Sequence, residues 1–319
     1  MKKRYFYFAA FLLLIGGCAE QKSAQEAIYD PELKINVHFC PVDDCQGIME
    51  AVLEIATSSI YCALYELDNA AILNVLGTKS RSISVGLIID EEGFENQIQG
   101  DAVKIDKSAN RMHDKFCVID LQYVITGSTN PTNNDLKLNN NNLIIIHSST
   151  VASWYKEEFD ELWNELKDTM PETKNIYSNT TKLSVYFCPE DKCDIHLQEL
   201  LSSASKSIDF MTFAFTDDKV TDALLVSNVP LRGIIETRNI NLQGSEYERL
   251  LSYQIPVIKD KNPRTMHHKV FIADNAIVAT GSYNPTKSGS HGNDENMLII
   301  QNEQIAAAFS QEFERLWSS

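Results

Sequence analysis

Two periodicities take turns along this chain. Met49, Val52, Leu53 and Ala56 recur at the spacing of one helix face, and Leu197, Leu200, Leu201 and Ala204 repeat that pattern later. Short apolar runs of strand length lie between the helical stretches: 60–64, 83–89, 116–119 and 143–146, then 231–235 and 297–300. Ser59-Ile60-Tyr61 and Ser207-Ile208-Asp209 open matching strands. Tyr155, Phe159, Leu162 and Trp163 fall on one helix face, as do Phe309, Phe313, Leu316 and Trp317. Each set predicts a closing helix whose aromatic stripe packs into a core.

The pattern is therefore written twice. Val37-His38-Phe39-Cys40-Pro41 is answered by Val185-Tyr186-Phe187-Cys188-Pro189, 148 residues on. MHDKFCVIDLQYVITGSTNPT, from Met112, is answered by MHHKVFIADNAIVATGSYNPT, from Met266, 154 residues on. The second half thus carries about six extra residues, placed around Gln243 to Ser252. Strands alternating with helices predict an α/β fold. Two tandem halves, each a central mixed sheet flanked by helices, are expected to pack about a pseudo-two-fold axis. Boundaries follow at 33–163 and 182–319. The polar segment 164–181, with Pro171 and the sequon Asn179-Thr180-Thr181, reads as a linker.

Composition adds compartment and surface. The 319 residues suit two domains, and 44% apolar content supports sizeable cores. Lys2, Lys3 and Arg4 precede an apolar run from Tyr5 to Ile15, the layout of a cleaved signal and too short for a comfortable membrane span. Ile15-Gly16-Gly17-Cys18 resembles the lipobox of prokaryotic lipoproteins. The resemblance implies removal of residues 1–17, a lipid anchor on Cys18, and a location on the outer or periplasmic face of a membrane. Losing three positive charges would take the net charge from −16 to −19. So acidic a chain is no general nucleic-acid coat, and nucleic-acid binding would need a locally basic site.

In an exported protein, Cys40 with Cys45 and Cys188 with Cys193 are expected as short disulfides. A four-thiolate zinc site is the rival reading. Cys62 and Cys117 sit in apolar strands and are expected as buried thiols. His38, His147, His196 and His291 have no partners at metal-ligand spacing, and no metal or other cofactor is expected.

The repeated motif carries the chemistry. His113 and Lys115 alternate along a strand and face one way, as do His267 and Lys269. Ser128 with Asn130, and Ser282 with Asn284, add polar donors suited to phosphoryl oxygens. Two His and two Lys together suit phosphodiester cleavage. A neutral His attacks phosphorus, a protonated His gives its proton to the leaving alcohol, and the lysines and amides hold the oxygens. His-x-Lys-x4-Asp-x6-Gly-Ser-x-Asn, present twice, resembles the phospholipase D superfamily. The matching residues are His113, Lys115, Asp120, Gly127, Ser128 and Asn130, then His267, Lys269, Asp274, Gly281, Ser282 and Asn284. The resemblance covers 33–319 and implies a metal-independent hydrolase working through a phosphohistidine.

Asp120 stands seven residues beyond His113, on the order of 23 Å along a straight strand. A structural role, or help to the opposite half, is expected of Asp120 and Asp274. Glu295, in Asn293-Asp294-Glu295-Asn296, matches an acid that family members carry after Gly-Ser-x-Asn; the first half has Asn141 there. Glu295 is expected to hold His267 and raise its pKa, leaving His113 as nucleophile. His268 is expected to be structural. Compact size resembles the small bacterial nuclease branch of the family, which implies nucleic acid as substrate. Phospholipid headgroup hydrolysis is the alternative, and a binding protein with relic motifs is a third reading, opposed by the presence of both His and both Lys. No protein partner is implied.

Overall fold

The computed structural model describes residues 27–93, 103–166 and 174–319. The stretch read as a signal and lipobox at 1–18, and part of the 164–181 segment, lie outside the described residues. The first half runs β1 (Ile28–Tyr29), β2 (Lys34–Cys40), α1 (Cys45–Glu54), β3 (Ser59–Leu64), α2 (Ala70–Lys79) and β4 (Ser84–Asp90). It continues through β5 (Val103–Asp106), β6 (Lys115–Ile119), β7 (Tyr123–Gly127), α3 (Asn133–Lys137), β8 (Asn141–His147) and α4 (Ser149–Asn164). The second half runs β9 (Lys174–Tyr177), β10 (Lys182–Cys188), α5 (Cys193–Ser203), β11 (Ile208–Thr212), α6 (Asp218–Val226), β12 (Leu231–Ile235) and α7 (Tyr247–Ser252). It closes with β13 (Val257–Lys259), β14 (Lys269–Ala273), β15 (Ile277–Gly281), α8 (Lys287–His291), β16 (Glu295–Gln301) and α9 (Glu303–Trp317).

Each half builds a mixed sheet. The first has the order β2-β8-β7-β6-β3-β4-β5, and the second contains its counterpart, β10-β16-β15-β14-β11-β12-β13. β9 and β1 extend the second sheet beyond β10. The segment read as a polar linker therefore contributes a strand. Ile176 pairs with Leu183 and is fully buried, which docks the segment against β10. The extra residues of the second half fall between β12 and β13, around α7.

The halves sandwich one shared core. Phe116, Tyr155 and Phe159 of the first half and Phe187, Phe309 and Phe313 of the second belong to a single buried cluster. α4 and α9, which lie in it, begin at the polar caps their sequences offer. The Ser148 hydroxyl accepts from the Val151 N–H, and the Asn302 side chain accepts from Gln304 and Ile305. Trp163 stacks on Phe159 and Trp317 on Phe313, with ring centroids 5.5 and 5.4 Å apart. Two further cores lie outside, under α1 and α2 on one sheet and α5 and α6 on the other.

All three cysteine pairs within the described residues are disulfides: Cys40–Cys45, Cys188–Cys193 and Cys62–Cys117. The third corrects the expectation of buried thiols. Cys62 on β3 and Cys117 on β6 are directly opposed in an antiparallel pair, with Cα atoms 4.0 Å apart. The equivalent pair in the second half is Phe210 and Phe271, stacked at 5.8 Å. With the short pairs bridged within their own halves, the four-thiolate metal reading is set aside.

Candidate active site

The spacing of the repeated motif is the spacing of a hairpin. β6 leaves the centre of the molecule, turns at Asp120-Leu121, and β7 returns to it. Both turn residues have φ near +50°, and Gln122 N–H donates to the Ile119 carbonyl, as in a two-residue type I′ turn. Asp274-Asn275 repeats this in the second half. Asp120 turns away from the motif histidines and accepts from the backbone N–H groups of Thr57, Ser58 and Ser59 and from two hydroxyls. Asp274 clamps Ser205, Lys206 and Ser207 in the same way. Neither is placed to serve chemistry in either half, so both leave the set of candidate catalytic residues and keep the structural role.

The returning strand ends in glycine for a steric reason. Gly127 and Gly281 have φ of +120° and +144°, and a Cβ there would lie 2.4 and 2.3 Å from the carbonyl oxygens of Asn142 and Asn296. The turn sets Ser128 and Ser282 beside β8 and β16. Their hydroxyls are fully buried; Ser128 contacts Asn141 Oδ1, and each accepts from the N–H of Asn142 or Asn296. Both hydroxyls face β8 and β16 instead of reaching outward, with Ser128 orienting Asn141, a correction to their expected role as phosphoryl donors. Asn130 and Asn284 are nearly buried beside them.

The two motifs meet edge to edge. His113 N–H donates to the Asp294 carbonyl at 2.9 Å, and His267 N–H donates to the Asn140 carbonyl at 2.8 Å. Side chains repeat the exchange. Asn296 donates to Asp114 and accepts from Thr126 of the other half, while Asn142 contacts His268 and accepts from Thr280. His268 is fully buried and also meets Glu312, as a structural residue would.

This crossing decides which acid serves which histidine. Glu295 Oε2 lies 2.8 Å from His113 Nδ1, so it holds the first-half histidine and not His267. Each acid reaches across the interface, and the expected pairing is corrected. His267 Nδ1 instead meets Asn141 Oδ1 at 3.0 Å, with Asp135 Oδ2 at 3.3 Å from the same nitrogen. The sequence reading missed Asp135. A residue-by-residue comparison of the halves could have found it, because the matching residue is Gly289.

Electrostatics at the centre are governed by burial. His113 and His267 are only 9% and 8% exposed, and Lys115 and Lys269 2% each. Burial, Lys115 and Lys269 hold His113 well below the ordinary imidazole range. Burial and Lys269 push His267 down to about 4, with Asp135 pulling the other way. Burial lowers Lys115 to about 8 and Lys269 well below its usual value. Burial lifts Glu295 to about 8 against the pull of Lys115, and its Oε1 has no hydrogen-bond partner. Burial would lift Asp135 too, but His267 and the hydrogen bonds from Asn139 and Asn130 together hold it below the usual carboxylate range. Tyr65 and Phe213 flank the centre, their rings 4.8 Å from His113 and 4.7 Å from His267.

A family profile described as "Cardiolipin synthase, PLD-like domain" matches residues 49–163 and 197–317, most of the chain and once in each half. The chain belongs to the phospholipase D superfamily. A "Mitochondrial cardiolipin hydrolase" of Chlamydomonas reinhardtii is 31% identical over 122 residues, covering 37% of this chain and 55% of that protein. A "Phospholipase D" of Rickettsia conorii is 30% identical over 134 residues, covering 41% of this chain and 67% of its own. The matched part is thus little more than half of the first relative's length. Phosphatidylserine synthase from Haemophilus influenzae, a solved structure, shares the fold across both halves: TM-score 0.65, 13% identity, 91% of this chain and 87% of that one. Among the described residues of this superfamily member, no helix is long and apolar enough to cross a membrane.

Proposed function

We propose that the protein is a phosphodiester hydrolase that works without a metal, through a phosphohistidine. The observation that carries this is the convergence of two His-x-Lys motifs, with an acid or amide from the opposite half on each Nδ1. Each ring is thereby held with Nε2 free for chemistry. Burial holds both imidazoles below their ordinary range, and His113, with Glu295 on its Nδ1, takes the part of nucleophile in this reading. His267 gives its proton to the leaving oxygen as the P–O bond breaks, then takes one from the water that cleaves the phosphohistidine. Lys115 and Lys269 hold the non-bridging oxygens, with Asn130 and Asn284 beside them.

The favoured substrate is nucleic acid. Tyr65 and Phe213 flank the two histidines, and aromatic faces beside a cationic centre suit stacking of bases next to the scissile phosphate. A phospholipid headgroup is the second reading, favoured by the names of the relatives, a cardiolipin hydrolase and a phospholipase D. Export and anchoring through Cys18 are part of the same proposal. Three disulfides suit an oxidising compartment, and mass spectrometry of the mature N-terminus checks the lipid.

The test is an activity panel in excess EDTA on the chain from Ala19 onward. It offers single- and double-stranded DNA, RNA, phosphatidylcholine vesicles and bis(p-nitrophenyl) phosphate, beside His113→Ala and His267→Ala. Nucleic-acid cleavage lost in both variants supports the nuclease reading. Headgroup release alone moves the protein to the lipid reading. Silence on every substrate, or activity untouched by His113→Ala, overturns the enzymatic proposal in favour of a binding role.

A further inference from the structure

The two halves differ at one chemically important place. At the position after Gly-Ser-x-Asn where the second half carries Glu295, the first carries Asn141. An amide can accept from an imidazole N–H but brings no charge to an imidazolium. Yet His267 is not without a carboxylate. Asp135, the third residue of α3, comes within 3.3 Å of the same Nδ1 that Asn141 meets. It stands six residues before Asn141 and is itself buried, 4% exposed.

We propose that Asp135 is a positioning residue for His267, setting a carboxylate from α3 at its Nδ1 where β16 sets the Glu295 carboxyl group at that of His113. This rests on the phosphodiesterase reading above.

Three observations carry it. First, Asp135 is built to stay ionised. Its Oδ2 accepts from the backbone and side-chain amides of Asn130, and its Oδ1 from Asn139. Glu295 by contrast leaves Oε1 buried and unpartnered. A carboxylate with several donors keeps its charge, whereas one with a bare buried oxygen favours the proton. Second, the second half could not use this solution. Its counterpart, Gly289, has no room for a side chain, since a Cβ there would lie 2.3 Å from the Asn284 carbonyl oxygen. Third, the same oxygen of Asp135 ties down the Asn130 amide, so one group sets both the imidazole and a proposed phosphate-holding side chain. The other charged or titratable groups acting here are Lys269 and Lys115, which disfavour a protonated imidazole, together with His113, Glu295 and Glu66. Against the two ammonium groups, Asp135 is the group that favours proton occupancy on His267.

The consequence is specific. With Asp135 ionised, His267 can carry a proton on Nε2 while Nδ1–H stays directed at Asn141 and Asp135. As the P–O bond breaks, its electrons remain on the leaving oxygen, which takes the Nε2 proton, and the imidazole ends neutral. Removing the charge weakens the acid step and leaves attack by His113 intact. The loss must therefore depend on how much the leaving group needs a proton.

The experiment compares Asp135→Asn with the wild type on two diesters, bis(p-nitrophenyl) phosphate and diphenyl phosphate. The first leaves readily as phenoxide and the second does not. The expected result is a fall in kcat of about tenfold or more on diphenyl phosphate, with KM nearly unchanged and a much smaller fall on the nitrophenyl ester. The alkaline limb of the pH profile on diphenyl phosphate should also move to lower pH, because His267 loses its proton earlier. Asp135→Asn/Asn141→Glu, which returns a carboxylate at the position matching Glu295, should restore much of the loss. Equal losses on both diesters without rescue, an unmoved alkaline limb, or wild-type rates overturn the proposal. A wild type inert on both diesters, nucleic acid and phospholipid would instead mean that the phosphodiesterase reading has failed.

Discussion

A buried acid with a bare oxygen is an expense to the fold, and Glu295 is the clearest case at the scale of single residues. Its pKa is raised to about 8, so the folded chain holds a proton that the unfolded chain releases near its ordinary carboxylate range. The unfolded state therefore binds fewer protons across that window, and stability falls as pH rises from about 4.5 to 8. Glu295→Gln removes the titration. Its melting temperature should exceed that of the wild type by several degrees at pH 8.5 and by less at pH 5, while turnover drops. Scanning calorimetry at the two pH values checks this, and a variant less stable at pH 8.5 would refute it. His267→Ala, which deletes the proton donor, should lose about 10²- to 10⁴-fold in kcat on a substrate with a poor leaving group. That His113, Lys115, His267 and Lys269 would converge was legible in the sequence, because the same spacing in two copies needs no third dimension. The partner of Glu295 was not. Whether an acid on β16 reaches the histidine of its own half or of the other depends on how the two sheets face each other.

Elements tell a similar story of what spacing can and cannot say. The strand and closing-helix periods were readable, and the sheets contain them. The straight-strand distance that separated Asp120 from His113 holds, because the chain runs straight through β6 and turns only at Asp120 itself. The aspartate is there because it tolerates positive φ and because its carboxylate gathers the loose amides that open β3. Burial opposes this, but the hydrogen bonds win and hold its pKa below the usual range. Its contribution to stability is thus present above pH 4 or so and is lost as pH falls through the folded value. Asp120→Asn keeps the turn and loses the charge, so it should cost roughly 1–3 kcal/mol at pH 7 and leave kcat unchanged. Denaturant titration with a parallel assay separates the two, and a large kcat loss in the folded variant would return Asp120 to the chemistry. The Cys62–Cys117 bridge was missed because cross-strand register is invisible in one sequence. Two apolar strands 55 residues apart can pair in several registers, and only one of them sets the sulfurs opposite each other. Cys62→Ala/Cys117→Ala should lose roughly 2–4 kcal/mol, with the fold retained by the surrounding core.

At the scale of the whole molecule, one candidate centre is assembled from two halves that share a buried core. Both histidines of a site therefore belong to one chain, and mixing full-length His113→Ala with His267→Ala should restore no activity. The molecule's charge of −16 then constrains the substrate. Arg111 is paired with Glu92, and Arg238 lies 3.9 Å from Glu236, so cations near the site are already partly answered by acids. The cationic groups at the centre are two buried lysines, enough for one or two phosphates and not for a long track. Salt dependence of binding scales with the number of phosphates neutralised, at about 0.7 per phosphate for a single strand. If the substrate is single-stranded nucleic acid, the logarithm of kcat/KM should fall with the logarithm of salt at a slope of only about −1 to −2. A slope several times steeper would require an extended basic groove. Salt-insensitive cleavage of a zwitterionic lipid, with none of nucleic acid, would favour the headgroup reading, because a zwitterionic surface releases no condensed counterions when the protein lands on it.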